Sequence, residues 1–210
     1  MIATRIVLVI AVVALTGCSQ PPAGHHSVRT TIFWVGEPAT PDSNYISNTA
    51  SAWQNNWLAH YGGVDDPTRR VGYRPEGFIP QENPFYFALP YSDYVAGRLK
   101  QNVTRVPWYH AELPLGTSLV KNHWIEVSHN GHTTYGQWED AGPLGEDDFN
   151  YVFGSAQPHF RKAGLDLSPA MARYIRLDGV GRTTWHFVDE AQVPPGPWKD
   201  CVTTSQIDWQ

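Results

Sequence analysis

The stretch Thr133-Thr134-Tyr135-Gly136-Gln137-Trp138-Glu139-Asp140-Ala141-Gly142-Pro143 alternates and then turns. Thr133, Tyr135, Gln137 and Glu139 fall on one face; Thr134, Gly136 and Trp138 fall on the other. That is the period of two of a β-strand. Gly142 and Pro143 stop the strand. Just upstream, Asn130-Gly131 is a strong two-residue hairpin signal, and Lys121–Val127 supplies the strand before it. Downstream, Leu165-Asp166-Leu167-Ser168-Pro169-Ala170 sets a second carboxylate between two leucines. Ser168 and Pro169 open a helix there, with Ala170, Met171, Tyr174 and Ile175 as its apolar face. A carboxyl at a strand end can be held rigidly at a cleft, so two such aspartates in one sheet suit acid/base work on a sugar.

These two segments carry a resemblance. Asp140-Ala141-Gly142-Pro143 resembles the Asp-X-Gly-Pro turn of the rare lipoprotein A group. Leu165–Ala170 resembles that group's Ile-Asp-Leu-Ser-X-Ala segment. Both belong to the double-psi β-barrel superfamily, which includes lytic transglycosylases of peptidoglycan, expansins, barwin-like carbohydrate binders and family 45 cellulases. The 3D domains, named for three aspartates, are similar. The resemblance runs from Thr30 to Val193. It implies a mainly β chain: a six-stranded double-psi β-barrel-like domain with one or two short helices and a long aromatic-rich N-terminal extension. Asp140 and Asp166 stand 26 positions apart. Members of that group bring the two motifs closer, so residues 144–163 read as an inserted loop.

The resemblance also implies a chemistry. A lytic transglycosylase can work with one acid/base carboxyl, because the sugar's own hydroxyl is the nucleophile. In the rare lipoprotein A group the acid is the Asp of the Asp-X-Gly-Pro turn, which matches Asp140. In 3D-domain transglycosylases it is the later aspartate, which matches Asp166. Asp140 stands first because its turn is the better match, Asp166 second, and Asp93 is a third catalytic candidate. Glu37, Tyr91, His110 and Trp138 are candidates for substrate binding. A structural role competes with each aspartate. An Asp before Gly-Pro can hold its turn through backbone N–H groups, and one before Ser-Pro can cap the helix. The alternative to cleavage is a non-catalytic lipoprotein that binds a glycan or a protein.

Other segments place these residues. Thr31–Gly36 reads as the first strand, with Glu37 at its end. Pro38–Pro84 is irregular and aromatic-rich. Ser51–His60 can form a short helix, with Trp53, Trp57 and Tyr61 at four-residue spacing; Trp53 and Trp57 read as core rather than as a sugar platform. Asn83–Asp93 is a second strand, with Phe85, Phe87 and Leu89 on one face. It resembles the strand that carries Thr-Ala-Ala-His in the rare lipoprotein A group, although Pro90 or Tyr91 falls near that histidine. Leu113-Pro114-Leu115-Gly116-Thr117 supports a second alignment that puts His110 there instead. Tyr94–Lys100 is weakly helical, and Asp93 could cap it. Glu146-Asp147-Asp148 reads as a solvated loop or helix start. Thr183–Val188 is the closing strand, with Trp185 and Phe187 on one face and His186, read as half-exposed, on the other.

At the N-terminus, Arg5 precedes the apolar run Ile6–Leu15, which is too short to span a bilayer. Leu15-Thr16-Gly17-Cys18 then resembles a bacterial lipobox. This implies residues 1–17 as a lipoprotein signal peptide, a lipid on Cys18, and a linker over 18–30 that includes His25-His26. One domain over 31–198 and a polar tail over 199–210 follow. Ser19 after the cysteine resembles an outer-membrane address facing the periplasm in a Gram-negative cell. Without residues 1–17, which hold one basic residue, the 15 basic and 20 acidic residues become 14 against 20, net −6. Such a surface argues against nucleic acid as partner, and leaves membrane attachment to the acyl chains. Peptidoglycan or another polysaccharide is the expected partner. No cofactor is expected, and no Cys/His pattern has zinc spacing. With Cys18 lipidated, Cys201 is left unpaired.

Overall fold

The computed structural model describes residues 24–41, 43, 45–159 and 163–210. The signal peptide, Cys18 and Ser19 lie outside the described residues. Among those described, no helix is long and apolar enough to cross a membrane. In chain order the elements are β1 (His25–Ile32), α1 (Trp57–Tyr61), β2 (Arg70–Val71), β3 (Arg74–Pro75), β4 (Tyr86–Leu89), β5 (Tyr94–Val95) and β6 (Arg98–Leu99). Then come β7 (Trp124–His129), β8 (His132–Ala141), α2 (Phe149–Val152), β9 (Leu165–Leu167), α3 (Pro169–Tyr174) and β10 (Gly181–Val188). The chain is mainly β. Six strands close into a barrel in the order β1-β10-β7-β8-β4-β9. β1 and β9 run parallel, as do β4 and β8; the other neighbours are antiparallel.

The β7–β8 hairpin turns where Asn130-Gly131 predicts it. Both residues have positive φ, 48° and 79°, which a two-residue turn matched to strand twist requires. Inside the barrel, Phe87 stacks on Trp138 (6.0 Å between centroids, 28°), and Trp138 meets Phe187 at 5.9 Å. β4 has two apolar faces. Phe85, Phe87 and Leu89 join the interior core, as their alternation predicts. Tyr86 and Ala88 face outward and pack with Phe33, Val35, Trp57 and Tyr61 of the N-terminal extension. Trp53 and Trp57 are fully buried, as core residues.

Several local expectations differ from the structure. The first strand begins at His25, inside the segment read as a linker, and ends at Ile32. Val28 and Thr30 point into the barrel, and the His25 ring stacks on Trp185 at 4.6 Å. Arg29, between Val28 and Thr30, and the polar side chain of Thr30 itself disguise the alternation. Tyr94–Lys100 is a small hairpin of β5 and β6 rather than a helix. Ala96 and Gly97 at its turn take φ of 48° and 73°, which a helix cannot accommodate. Among the described residues there are three short α-helices rather than one or two, because α2 forms within the inserted loop. The tail over 199–210 packs against the domain. Thr203 N donates to Gln137 Oε1 at 2.8 Å, and Asp208 N donates to Trp53 O at 2.8 Å. Cys201 is free and half-buried.

Candidate functional site

β9 is only three residues long, and Leu165 and Leu167 are buried in the core. Alternation therefore turns Asp166 outward. Ser168 ends the strand by capping α3, accepting from Met171 N at 3.3 Å, so Asp166 is not needed as a cap. Asp166 pairs with Thr31 on β1 and with Ala88 on β4. The Thr31 hydroxyl donates to its Oδ1.

Asp140 reaches the same face by a different route. On strict alternation it would share the inward face of Trp138. The β4–β8 register shifts after Phe87↔Trp138, so that Ala88 pairs with Asp140. Glu139 is the extra residue of this bulge, and it buries against Lys121 Nζ at 2.6 Å. A bulge re-aims the side chain that follows it. The result is one row across four strands: Thr31, Asp166, Ala88, Asp140. Asp140 Oδ1 accepts from Ala52 N and Ala141 N, each at 2.8 Å. Its carbonyl accepts from Trp138 Nε1 at 2.8 Å. Gly142 passes close above the row: a Cβ placed there would lie 3.7 Å from both Asp166 Oδ2 and the Ala88 Cβ.

Glu37 joins these two from the loop after β1. Asn48 Nδ2 donates to its Oε2 at 2.9 Å, and the backbones of Gly36, Glu37 and Asn48 are cross-bonded. The three carboxyls share an open groove of about 340 Å³ with walls that include Ile32, Phe33, Ile46, Leu144 and Val180. Arg29 also lines it; among the described residues neither Trp nor Tyr does.

Burial raises all three acids. Asp140 goes up to about 7, its two backbone N–H bonds opposing the shift and the charges of Glu146 and Asp166 adding to it. Glu37 goes up to about 7, against the pull of the Trp34 backbone and with Asp166 adding to the rise. Asp166 goes up to about 6, opposed by the Thr31 hydroxyl. Acids crowded in one groove titrate as a set, so near neutral pH the groove holds both a proton to give and a carboxylate to receive one.

The other expected site residues lie elsewhere. Asp93 is fully buried and accepts from Trp53 Nε1 (2.9 Å), Ser118 Oγ (2.9 Å) and Leu119 N (2.6 Å). Tyr91 is buried, with its hydroxyl on Asn102 Oδ1 at 3.1 Å. Trp138 is inside the barrel and touches the site only through the Asp140 carbonyl. His110 is exposed in a separate depression with Trp108 and His123. Thr31, Ala88, Asn48 and Arg29 belong to the groove without any sequence motif to mark them.

No family model matches the chain, and no curated protein matches it. Among solved structures, Streptomyces papain inhibitor (SPI) aligns with a TM-score of 0.34 at 18% identity, over 80% of this chain and 97% of that one. A likeness at that score carries no inference about fold or function.

Proposed function

We propose that the chain is a cell-envelope lipoprotein whose groove cleaves peptidoglycan or a related glycan, by lytic transglycosylation with Asp140 as general acid. The observation that carries this reading is the convergence of Asp140, Asp166 and Glu37 on one open groove, each with a carboxyl raised toward neutrality. Asp140 gives its proton to the leaving oxygen as the glycosidic bond breaks, and as the resulting carboxylate it takes the proton of the sugar's own hydroxyl as that oxygen bonds to the anomeric carbon and closes the anhydro ring. Asp166 or Glu37, ionised, stabilises the positive charge that develops on the sugar. The two parallel pairings in an otherwise antiparallel six-stranded barrel support reading it as a double-psi barrel. Lipid on Cys18 holds the domain in an extracytoplasmic space, in an outer membrane if the cell is Gram-negative. Release of anhydro-muropeptides from purified sacculi tests the reaction. Fractionation of Cys18→Ser tests the anchor, which predicts loss of the protein from membranes.

A second reading is favoured by one observation. One oxygen of Asp140 is already occupied by two backbone N–H groups, as in a purely structural turn. On that reading the barrel binds a glycan without cutting it. Protein that pulls down sacculi and releases nothing from them supports the second reading over the first.

A further inference from the structure

At one step of the barrel two neighbouring carboxyls compete for one place. Phe87 on β4 pairs with Trp138, and the next residue, Ala88, pairs with Asp140 rather than with Glu139. Without the bulge, Ala88 would face Glu139, and Leu89 would face Asp140. A one-residue slip exchanges the two faces of a strand. Glu139 would then stand beside Asp166 in the groove row, and Asp140 would turn into the barrel. Lys121, in the turn before β7, withdraws Glu139 from that place. Its Nζ lies 2.6 Å from Glu139 Oε2, and the two side chains are 0% and 1% exposed. Among the described residues Lys121 makes no other ion pair. The backbone is gripped from the same side just before the bulge. Asn122 N donates to Trp138 O at 2.9 Å, and Trp138 N donates to His123 O at 2.8 Å.

The C-terminal tail seats the lysine. Lys121 Nζ also donates to Ser205 O at 3.0 Å, to Ser205 Oγ at 3.1 Å and to Asn122 Oδ1 at 3.2 Å. Glu82, the nearby second carboxyl, is held by neutral donors: Ser205 Oγ (2.6 Å), Gln54 Nε2 (3.0 Å) and Trp57 Nε1 (3.1 Å). The ammonium is therefore left to Glu139. Burial raises Glu139 to about 7, and the charge of Lys121 is the strongest pull the other way. Separating such a pair leaves an uncompensated charge in the interior, so the pair holds its geometry.

We infer that Lys121, acting through Glu139, is a positioning residue for Asp140: their buried ion pair selects the bulged register and so decides which of the two carboxyls reaches the groove. This rests on the proposed function only for its effect on cleavage, because the register can be read without any activity.

The test combines backbone nuclear Overhauser contacts of the full-length protein, which report the residue facing Ala88, with sacculus cleavage per folded molecule. In the parent, Ala88 should face Asp140. In Lys121→Met its contacts should move to Glu139, and cleavage should fall about 10²-fold, as a misplacement near 1 Å costs. Lys121→Met/Glu139→Leu replaces the ion pair by an apolar one that again favours burial at position 139. The contacts should return to Asp140, and most of the cleavage with them. If Lys121→Met does not fold, Lys121→Met/Glu139→Ala takes its place, since it strands no charge and gives position 139 little to bury; the same shift is expected. Ala88 still facing Asp140 in the variant that breaks the pair, with cleavage following only the folded fraction, overturns the inference and makes the pair a purely structural one. A folded Lys121→Met/Glu139→Leu protein that keeps the slipped register also overturns it, because burial at 139 then does not aim Asp140. A parent that cleaves nothing defeats the enzymatic reading, while the register measurements still decide the inference.

Discussion

Asp140 and Asp93 carry the same side chain in opposite settings. Both oxygens of Asp93 are engaged by donors inside the protein, and none of the residue is exposed. Asp93→Ala strands those donors, and should lower stability by about 2–4 kcal/mol in urea unfolding while the folded fraction keeps its groove. Asp140 has one oxygen held by backbone and opens on the groove. Asp140→Asn can still accept both N–H bonds but has no proton to give. Sacculus cleavage should fall by roughly 10²–10⁴-fold, with melting unchanged or slightly higher at pH 7.5, because a costly buried ionisation is gone. In the parent, cleavage should decline as pH rises through about 7, where the Asp140 carboxyl loses its proton. Full activity in Asp140→Asn, or loss that simply follows a lower melting temperature, returns Asp140 to a structural role.

At the level of elements, the groove depends on one bulge and one small residue. The bulge in β8 turns Asp140 outward; Ala88 on β4 is the floor between it and Asp166. Any larger residue at 88 grows into the space beneath Gly142. Ala88→Val should destabilise by about 1–3 kcal/mol through overpacking and should block saccharide binding far more than its effect on stability explains. Saccharide affinity measured well below the melting temperature separates the two effects. Unaltered affinity in folded Ala88→Val means the ligand does not sit over this row.

For the whole molecule, the raised carboxyls make stability depend on pH with a definite sign. Asp140, Glu37 and Glu139 are each raised by burial to about 7 from ordinary values near 4. Between those values the folded state holds protons that the unfolded chain has lost, so stability falls as pH rises. His123 and His25 act the other way. Burial lowers both, His123 to about 4, so their contribution is lost as pH falls below about 6.5. Above pH 6.5 the two rings are less than half protonated even in the unfolded chain, so the three carboxyls outweigh them. The melting temperature should therefore drop between pH 6.5 and 8, and the drop should be smaller in Asp140→Asn. A flat or rising curve over that range would falsify the assignment.

Local alternation and turn residues marked individual strands, while the expectation that they form a six-stranded barrel came from the family resemblance. The Asn130-Gly131 hairpin, the shared face of Phe85, Phe87 and Leu89, the shared face of Trp185 and Phe187, and the Ser168-Pro169 helix start are all legible in the local sequence. These features rest on local periodicity and turn chemistry, which act between neighbours in the chain. The two resembling motifs marked Asp140 and Asp166, the end of the first strand candidate marked Glu37, and helical spacing assigned Trp53 and Trp57 to the core. Whether those acids meet was decided only by tertiary structure. Alternation alone points Asp140 into the core, and the bulge that reverses it depends on pairing with a strand some fifty positions away. The same holds for β1. Its polar residues look like a tether until β9 and β10 bond to its two edges and bury Val28 and Thr30. Asp93, Tyr91 and His110 separate from the groove for a like reason: burial and partners come from the folded chain, and a side chain's type does not specify its surroundings.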